Sequence, residues 1–589
     1  MNTVPIRAMA LLLAVFLVGS GVALGATGDT LAVYATPLNI EQVINADTVA
    51  GGAQAHKVYK LVSRDTTYVF QGAITIKSDV TILGVLDPVT GRPPCIQPMP
   101  LPDNSLPTAM FILNGVNKKA YFKNLYLTGR STDNTVASGI DFVNGAGALI
   151  NVAGSGNRFQ ADHVIVCDWP TDCFTYSGDH SSLFVTNCKF RNCTVSSAWY
   201  SGEAVRNQYN TAITDSLVMH DNTMLCIAYS AACPVTVNPC TYFDFSHNSV
   251  IYTFKNPFWI YNVTNAKLND NLFYAAFSGA SNFTEHFGMW DQLRSFALTG
   301  VADFDTLNIP IAQWFDPADS AGAGSLSVLW PAEAKRHIEV RNNNCFWPKV
   351  ITDLWKAWND TAHSDSVITP VWVNSRTQGM FSDKVHWPNL VMSGNLAVDP
   401  QFGASIDHVM DANSTSGAGF AHYFGTVRSN SVAVESYGYM QATIVPGTNW
   451  IPQWPLPELA DMHYGSTALQ HGATDGQAVG DRGWFTSNGF TGIKQATAGV
   501  PGEFSLSEAY PNPFNPSTTV RFSLPQAGIV SLKVYNVLGQ LVKTIVDNLT
   551  MGKGQYEYRI DMNGISSGVY YYTLHQGSQQ ITKKMVLLR

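Results

Sequence analysis

The sequence predicts an all-β protein with two parts, a long body of repeated short strands and a small C-terminal β-sandwich. The composition favours this class, because 13% of residues are charged, 12% are aromatic and 47 are glycine. A short polar motif recurs through the body, and the end of the chain alternates apolar and polar residues between glycines. A chain of 589 residues exceeds one compact core unless the fold grows by repetition.

The repeated motif is an apolar residue, any residue, a polar marker, any two residues and a second apolar residue. The marker is Asn, Asp or His, and it occurs at Asn124, His163, Asn187, Asp215, His247, Asp270 and Asn342. Successive markers are 39, 24, 28, 32, 23 and 72 residues apart. Two intervals are close to the length of one coil of a β-solenoid, and others suit a coil that carries a loop. A polar residue at a fixed corner tolerates left-handed backbone and bonds the next coil.

The repeats over residues 46–345 resemble the right-handed parallel β-helix of the pectin-lyase-like superfamily. That resemblance implies a solenoid, and an array of β-sandwiches is the alternative fold. We expect this body to span residues 26–400. An aromatic-rich excursion at 282–333 includes one predicted helical piece at 292–298, and a second short helix is predicted at 351–358.

The chain after the repeats is rich in Gly, Trp and Pro over residues 401–490, which predicts irregular structure. Gly480-Asp481-Arg482-Gly483-Trp484 is similar to a Gly-Asp-x-Arg-Trp ending of other exported β-helix proteins, although Gly483 interrupts the Arg-Trp pair. Residues 491–503 are predicted to form a linker into the last domain.

Residues 504–589 predict six or seven short strands in a two-sheet sandwich, preceded by a proline-rich, extended lead-in. Four motifs occur in order: Tyr510-Pro-Asn-Pro-Phe-Asn-Pro, Val534-Tyr-Asn-Val-Leu-Gly, Ser567-Gly-Val-Tyr and Lys584-Met-Val-Leu. They resemble the immunoglobulin-like C-terminal sorting domain (type A) of type IX secretion substrates. The resemblance implies recognition by the outer-membrane secretion machinery, and a location outside the cell or attached to the outer-membrane surface.

The N-terminus predicts a signal peptide at residues 1–25, with Arg7, an apolar run and small residues before the cleavage site. No later stretch is long and apolar enough to predict a transmembrane helix. Subtracting Arg7 and the last 86 residues (eight basic, four acidic) from the totals of 35 and 43 leaves 26 basic and 39 acidic residues. A body near −13 argues against nucleic acid as a partner.

All nine cysteines lie between Cys95 and Cys345, and an exported protein permits disulfides between them. Short spacing predicts pairing of Cys167 with Cys173, of Cys188 with Cys193, and within the group Cys226, Cys233 and Cys240. The odd count leaves at least one thiol free or paired between chains. No C-x-x-C pair or histidine cluster supports the alternative of a zinc site.

The densest polar group is predicted between two successive coils and comprises Asp168, Asp172, Asp179, His180, Glu203 and Arg206. In a groove, two carboxylates would serve glycoside hydrolysis as acid and as base or nucleophile. Alternatively, carboxylates would hold Ca²⁺ against a uronate while Arg206 acts as the base or charge stabiliser of a lyase. The competing interpretation is that all six are turn residues.

The resemblance carries no catalytic motif, since the chain has no Asp-Asp pair and Asp162-His163 lacks the tryptophan of the pectate-lyase block. Trp199, Tyr200, Trp259 and Tyr261 are candidate platforms for sugar rings, and core packing is the alternative. Together these patterns favour a surface or extracellular protein that binds glycans or surface partners without a cofactor and without catalysis. The alternative is a polysaccharide lyase or glycoside hydrolase, with Ca²⁺ in the lyase case.

Overall fold

A computed structural model gives the fold of the chain. It describes residues 28–63, 66–88, 91–132, 148–169, 171–193, 202–207, 212–234, 240–258, 260, 262–282, 301–304, 332–363, 366–402, 424, 462–485, 504–509, 512–515, 517–526, 528–551, 554–562, 565–577 and 579–588. The chain divides into two compact units. Residues 1–85 and 93–482 form the first unit, and residues 86–92 and 483–589 form the second. The predicted signal peptide lies outside the described residues.

The first unit is built from short strands, most of which hydrogen-bond in parallel. They are β1 (Thr30–Val33), β2 (Val58–Leu61), β3 (Tyr68–Phe70), β4 (Ile74–Ile76), β5 (Val80–Gly84), β6 (Cys95–Pro98), β7 (Phe111–Leu113), β8 (Lys119–Thr128), β9 (Ile150–Val152), β10 (Arg158–Cys167), β11 (Phe174–Tyr176), β12 (Ser181–Thr186), β13 (Lys189–Cys193), β14 (Val205–Asn207), β15 (Thr214–His220), β16 (Thr223–Ile227), β17 (Ala232–Cys233), β18 (Cys240–Ser246), β19 (Ser249–Thr253), β20 (Val263–Asn269), β21 (Leu272–Tyr274), β22 (Ser281–Asn282), β23 (His337–Arg341), β24 (Asn344–Phe346), β25 (Val367–Ile368) and β26 (Leu390–Ser393).

Apart from β1, which pairs with β2, each parallel strand pairs with a strand of the following repeat and not with the next strand in sequence. One run of pairs follows the order β8, β10, β12, β15, β18, β20, β23 and β26, within an 18-stranded sheet. A six-stranded parallel sheet has the order β4, β7, β9, β11, β14 and β17. The predicted repetitive, strand-rich body is therefore present as large parallel sheets.

Small helical segments accompany the sheets. The described helices of the first unit are α1 (Ile40–Ala46), α2 (Lys349–Asn359), α3 (Ser375–Ser382) and α4 (Thr467–Gln470). The prediction of a short helix at 351–358 is confirmed by α2. The helix predicted at 292–298, like most of the excursion at 282–333, lies outside the described residues.

Six of the seven predicted polar markers have left-handed backbone. Asn124 lies within β8, His163 lies within β10, and the other four lie between consecutive strands. Asn124, His163, Asn187, His247, Asp270 and Asn342 all have φ between 51° and 61°. The marker at Asp215 is wrong, because this residue does not adopt left-handed backbone, whereas Asp221, which directly follows β15, does so with φ of 56°. Met219-His220-Asp221-Asn222-Thr223-Met224 fits the same motif six residues later, so the pattern was assigned to the wrong copy.

The residue after the corner forms a buried ladder that joins successive repeats. Asn222 donates through Nδ2 to Oδ1 of Asn248 at 2.8 Å, and Asn248 donates in the same way to Asn271 at 3.2 Å. The ladder continues from Asn271 to Asn343 and from Asn343 to Asn395, each at 2.9 Å. In each pair the Oδ1 atom that accepts the side-chain bond also accepts the backbone N–H of the same donor asparagine. The left-handed backbone and the hydrogen bonds between repeats therefore belong to two adjacent residues. The sequence predicts a single residue for both roles.

Replacing Asn248 with alanine is expected to lower the free energy of unfolding by about 2–3 kcal/mol. The side chain is fully buried, and its loss removes the acceptor of the Asn222 backbone and side-chain N–H groups and the side-chain donor to Asn271 Oδ1. The backbone N–H of residue 248 still donates to Asn271 Oδ1. Asn265→Ala is the matched control, because its side chain makes an exposed bond to the Thr241 carbonyl. Urea unfolding of both variants measures the difference, and equal midpoints would contradict the role of the ladder.

Aromatic side chains fill the interior of the repeats that precede this ladder in sequence. Phe111, Phe122, Phe159, Phe174 and Phe190 form a row of edge-to-face pairs with ring centroids 4.7, 5.4, 5.4 and 5.3 Å apart. All five are fully buried. Such pairs add to the hydrophobic gain of burial, so the row stabilises the stack from the inside.

In the described part of the second unit, seven strands form two antiparallel sheets around one core. The strands are β27 (Ser505–Leu506), β28 (Ser517–Leu524), β29 (Gly528–Asn536), β30 (Leu541–Met551), β31 (Gly554–Asp561), β32 (Gly568–Gln576) and β33 (Gln579–Leu587). The sheet orders are β27-β28-β31 and β30-β29-β32-β33. Val520, Leu532 and Tyr572 are fully buried in the shared core. The prediction of six or seven strands in two sheets is confirmed.

Candidate functional site

Three of the predicted catalytic residues meet in one buried group, called here the Arg206 cluster. Asp172 lies just before β11, while Arg206 lies in the middle of β14, which pairs with β11 in parallel. Arg206 Nη1 is 3.2 Å from Asp172 Oδ2, and its Nε is 3.2 Å from Glu203 Oε2. Ser230 completes the cluster by donating its hydroxyl to Glu203 Oε1 at 3.0 Å.

The Arg206 cluster holds two carboxyl groups against one guanidinium group. Burial raises the pKa of Glu203 to about 8, with Arg206 opposing and Asp172 reinforcing the shift. Burial also raises the pKa of Asp172, although Arg206 and the backbone N–H groups of Gly202 and Glu203 counteract it. Since one cation cannot neutralise two buried anions, the carboxyl pair retains a proton more readily than an exposed pair would.

Asp168 belongs to a second buried group. It follows β10 with φ of 53° and accepts a hydrogen bond from Asn192 Nδ2 at 3.2 Å. Its Oδ2 is 3.4 Å from Arg191 Nη1 and 3.7 Å from Arg130 Nε. With Arg191 fully buried and Asp168 only 4% exposed, this carboxylate is enclosed by cationic and amide donors.

Asp179 and His180 lie at a different turn, between β11 and β12. Asp179 Oδ1 accepts the backbone N–H of Ile213 at 2.9 Å, and His180 Nδ1 is 3.0 Å from Asp215 Oδ1 in an exposed pair. Neither residue contacts the Arg206 cluster through these bonds. The structure therefore joins three predicted catalytic residues directly and places the other three in separate contacts. The four aromatic candidates, Trp199, Tyr200, Trp259 and Tyr261, lie outside the described residues.

A solvent-facing surface on the large parallel sheet, called here the outer face, was missed by the search for turn residues. Its side chains alternate with core residues along β8, β10, β12, β15, β18, β20 and β23, and strand register aligns them in three rows. The rows are Lys119, Arg158, Ser182, Ser216, Tyr242, Asn265 and His337; Tyr121, Gln160, Phe184, Val218, Asp244, Lys267 and Glu339; and Lys123, Asp162, Thr186, His220, Ser246, Asn269 and Arg341.

The carboxylates of the outer face are held in position by neighbouring donors. Asp162 accepts from Lys123 Nζ at 2.7 Å, from Asn187 Nδ2 at 2.9 Å and from the Tyr121 hydroxyl at 3.1 Å, and it pairs with His163 at 2.6 Å. Although burial alone would raise it, the pKa of Asp162 is lowered by the bonds from His163, Lys123 and Asn187. Asp162 is therefore an ionised acceptor that orders its neighbours.

Asp244 forms a similar centre three strand pairs further along. It accepts from the Tyr242 hydroxyl at 2.8 Å and the Ser246 hydroxyl at 2.6 Å, while His220 Nε2 lies 3.0 Å away. Burial acts to raise its pKa, but His220 and the two hydroxyl groups lower it overall. The outer face thus carries two charged acceptors, each flanked by a tyrosine whose orientation its hydroxyl bond fixes.

Aromatic and cationic groups complete the outer face. The Arg158 guanidinium carbon lies 3.8 Å from the ring centroid of Phe184, and Phe184, Tyr121 and Tyr242 are each partly exposed. The three rows contain five Lys or Arg residues and three Asp or Glu residues, in contrast to the acid excess of the whole chain. At the usual strand spacing, seven strands extend over about 29 Å.

In the segment 462–485, the residues up to Arg482, which belong to the first unit, contact the corners of the repeats. Arg482 forms a two-pronged ion pair with Asp221, with Nε–Oδ1 and Nη2–Oδ2 distances of 2.7 Å. Asp270 accepts the backbone N–H of Thr474 at 2.7 Å and its hydroxyl at 2.6 Å. The left-handed corners that mark the repeat therefore also bind the segment that contains the Gly-Asp-Arg sequence.

A buried ion pair anchors the same segment. Lys189 on β13 pairs with Asp481, whose carboxylate also accepts the Thr223 hydroxyl at 2.6 Å. Lys189 and Asp481 are 6% and 0% exposed. Gly480 directly precedes Asp481 and has φ of 94°, and a Cβ at this position would lie 2.6 Å from Ser249 Oγ. The Gly480-Asp481-Arg482 sequence thus combines close approach, a buried charge and a surface charge in three consecutive residues.

The described part of the chain contains neither a cluster of metal-ligating side chains nor a membrane-spanning helix. Within the ranges given above, no group of three or more His, Cys, Asp or Glu side chains is placed to hold a metal ion. No helix in that part of the chain is long and apolar enough to cross a membrane.

Comparison with known protein families identifies the end of the chain. Residues 508–588 match the family described as a secretion system C-terminal sorting domain. No curated protein matches the chain. The matched domain supports the predicted type IX secretion substrate and implies interaction with the secretion machinery and export to the extracellular space or cell surface.

Proposed function

We propose that this exported chain is a non-catalytic glycan-binding protein, whose parallel sheets form a right-handed β-helix that presents the outer face to a linear polysaccharide. The C-terminal sandwich, immunoglobulin-like in this proposal, acts as the sorting signal. The observation that carries the proposal is the outer face itself. Partly exposed rings lie beside fixed hydrogen-bonding groups in rows about 29 Å long.

The chemistry of the outer face suits sugars. Aromatic rings provide apolar surface against the C–H faces of sugar rings, while carboxylates and amides accept and donate hydrogen bonds at the hydroxyl edges. Tyr242 and Tyr121 are oriented by their bonds to Asp244 and Asp162, so little side-chain freedom is lost when a ligand binds. The surplus of Lys and Arg on this face also permits acidic sugars, despite the acidic body.

The burial and the ion pairs of the predicted catalytic residues favour a binding protein over an enzyme. Asp168, Asp172 and Glu203 are buried and engaged by Arg191 and Arg206, so their ion pairs account for their presence in the core. A general acid must reach the glycosidic oxygen, which the buried carboxyl groups would do only after rearrangement.

The alternative is a glycoside hydrolase or a lyase of the same fold. One observation favours a hydrolase, namely the raised pKa of Glu203, since a general acid works best with a pKa near the operating pH. In that case Glu203 would be the acid and Asp172 its partner carboxylate. A lyase would use Arg206 and a Ca²⁺ ion held by the neighbouring carboxylates.

The proposal is tested by removing aromatic rings from the outer face. Phe184→Ala and Tyr242→Ala are each expected to weaken retention of the protein in polysaccharide-containing gels by roughly five-fold, equivalent to about 1 kcal/mol. Tyr34→Ala is the control, because Tyr34 is 50% exposed and is not part of the outer face. Unchanged retention of both variants on every polysaccharide that binds the parent chain would refute the assignment of this face.

A further inference from the structure

Two cysteine side chains lie against each other in the first unit. Cys173 immediately precedes β11, and Cys193 is the last residue of β13. Their sulfur atoms are 3.1 Å apart, and both side chains are fully buried. The chain between the two cysteines contains β11, β12 and β13, and we call this stretch of one repeat the circuit. Its two ends lie close together in space, so the two thiols, 20 residues apart in sequence, are in contact.

We propose that Cys173 and Cys193 form an intramolecular disulfide in the exported protein. The sorting domain directs the chain out of the reducing cytosol, into compartments where disulfides form and persist. The bond would fasten the circuit at the point where the Arg206 cluster begins, since Asp172 is the neighbour of Cys173. This role is independent of whether the outer face binds glycans.

The contact differs from the pairs predicted by short spacing. Cys167 with Cys173 and Cys188 with Cys193 are close in sequence, whereas the sulfur–sulfur contact in the structure joins Cys173 to Cys193. The sulfur atoms of Cys173 and Cys193 meet because the chain returns after one circuit, and a return of this kind is set by the fold. Under this proposal Cys173 and Cys193 take each other as partners, in place of the partners predicted from sequence spacing.

The oxidation is balanced by thiol–disulfide exchange. The thiolate of one cysteine attacks a donor disulfide and releases one donor thiol, and the second thiolate then displaces the other donor sulfur. Two thiols and one donor disulfide become one protein disulfide and two donor thiols, so the two electrons and two protons pass to the donor. The donor is an oxidised dithiol protein or a low-molecular-weight disulfide such as oxidised glutathione.

Burial determines when this exchange takes place. Burial, together with the neighbouring Cys193 thiol, raises the pKa of Cys173 well above its usual range, so the reactive thiolate is disfavoured in the folded chain. Both sulfur atoms are also closed to a donor once the core has formed. We therefore expect the bond to form during folding after export, and a chain folded in a reducing compartment to keep both thiols.

The experiment compares the full chain exported into an oxidising periplasm with the same chain folded in a reducing cytosol. Thiols are counted after denaturation without reductant, and peptides are mapped by mass spectrometry. With nine cysteines in the sequence, the exported chain is expected to show nine minus two, or about seven thiols, and a peptide link between Cys173 and Cys193. The cytosolic chain is expected to show all nine.

Two variants of the exported chain distinguish the alternatives. Cys193→Ala releases Cys173, so the expected count rises from about seven to about eight, whereas Cys188→Ala removes a free thiol and lowers the count to about six. The melting temperature of Cys193→Ala should also fall by roughly 5 °C, because the cross-link no longer restricts the unfolded chain. Nine thiols in the exported parent, or a peptide link from Cys173 or Cys193 to another cysteine, would overturn the proposal.

Discussion

Replacing Arg206 with methionine is expected to lower the free energy of unfolding by about 3–5 kcal/mol at neutral pH. Methionine keeps much of the volume but removes the cation that lies 3.2 Å from both Asp172 and Glu203. Both carboxyl groups are then buried together with no counter-ion from this side chain, and such a loss costs more than the pair itself contributes. Urea unfolding of the variant and the parent measures the difference.

The free energy of unfolding of the parent chain should depend on pH, and the raised pKa of Glu203 sets the sign of this dependence. The pKa rises from its usual 4.5 to about 8 in the folded chain. Between these values the folded state holds a proton that the unfolded state has released, so stability falls as pH rises, by up to about 1.4 kcal/mol per pH unit. Below pH 4.5 and above pH 8 this group contributes no further slope.

Two matched variants separate this effect from general damage. Glu203→Gln leaves Asp172 and Arg206 as a balanced pair, so the slope due to Glu203 between about pH 5 and pH 8 should disappear. Arg341→Met removes an arginine that is 40% exposed and 3.9 Å from Glu339, and should change stability by less than about 1 kcal/mol. An Arg206→Met variant no less stable than Arg341→Met would show that the cluster is not a buried charge centre.

Replacing Lys189 with methionine is expected to destabilise the first unit by about 3–5 kcal/mol. The substitution leaves the Asp481 carboxylate fully buried without its cation, although the Thr223 hydroxyl remains as a donor. Since Asp481 belongs to the segment 462–485, we also expect this segment to become the first site of cleavage in limited proteolysis. The readouts are the unfolding midpoint and the position of the earliest cut.

Lys349→Met is the matched control for Lys189→Met. It removes a lysine of similar size from an ion pair with Asp353 on the surface of α2, where the side chains are 84% and 58% exposed. Such a pair contributes less than about 0.5 kcal/mol. If both lysine variants unfold alike and the segment resists protease, the buried pair does not hold residues 462–485.

Local patterns predicted the repeat and the terminal sandwich well, because both depend on residues close in sequence. Six of the seven corner markers adopt left-handed backbone, as Asn, Asp and His permit. The marker at Asp215 failed because two consecutive stretches satisfy the same motif, and only the strand register and backbone of the folded chain show that Asp221 is the corner. In the tail, alternation and glycine spacing sufficed for two antiparallel sheets.

Contacts between distant residues could not be predicted from these patterns. Lys189 and Asp481 are 292 residues apart, and no local signal links them. The pairing of Cys173 with Cys193 and the division of the predicted catalytic group depend on where each turn directs the chain. The outer face was accessible in principle, since Tyr121, Phe184 and Tyr242 alternate with core residues along their strands. These three residues lie within strands, whereas the predicted catalytic residues were chosen as polar residues near turns.

The central claim, that the exported chain binds polysaccharide without cleaving it, is tested most directly by incubating the full chain with a panel of neutral and acidic polysaccharides. Retention in polysaccharide-containing gels is measured alongside new reducing ends and the absorbance of unsaturated products. We expect at least one polysaccharide to retain the protein, Phe184→Ala and Tyr242→Ala to weaken this retention, and neither new reducing ends nor unsaturated products to form. Products that disappear in Glu203→Gln would contradict it and establish a hydrolase or lyase.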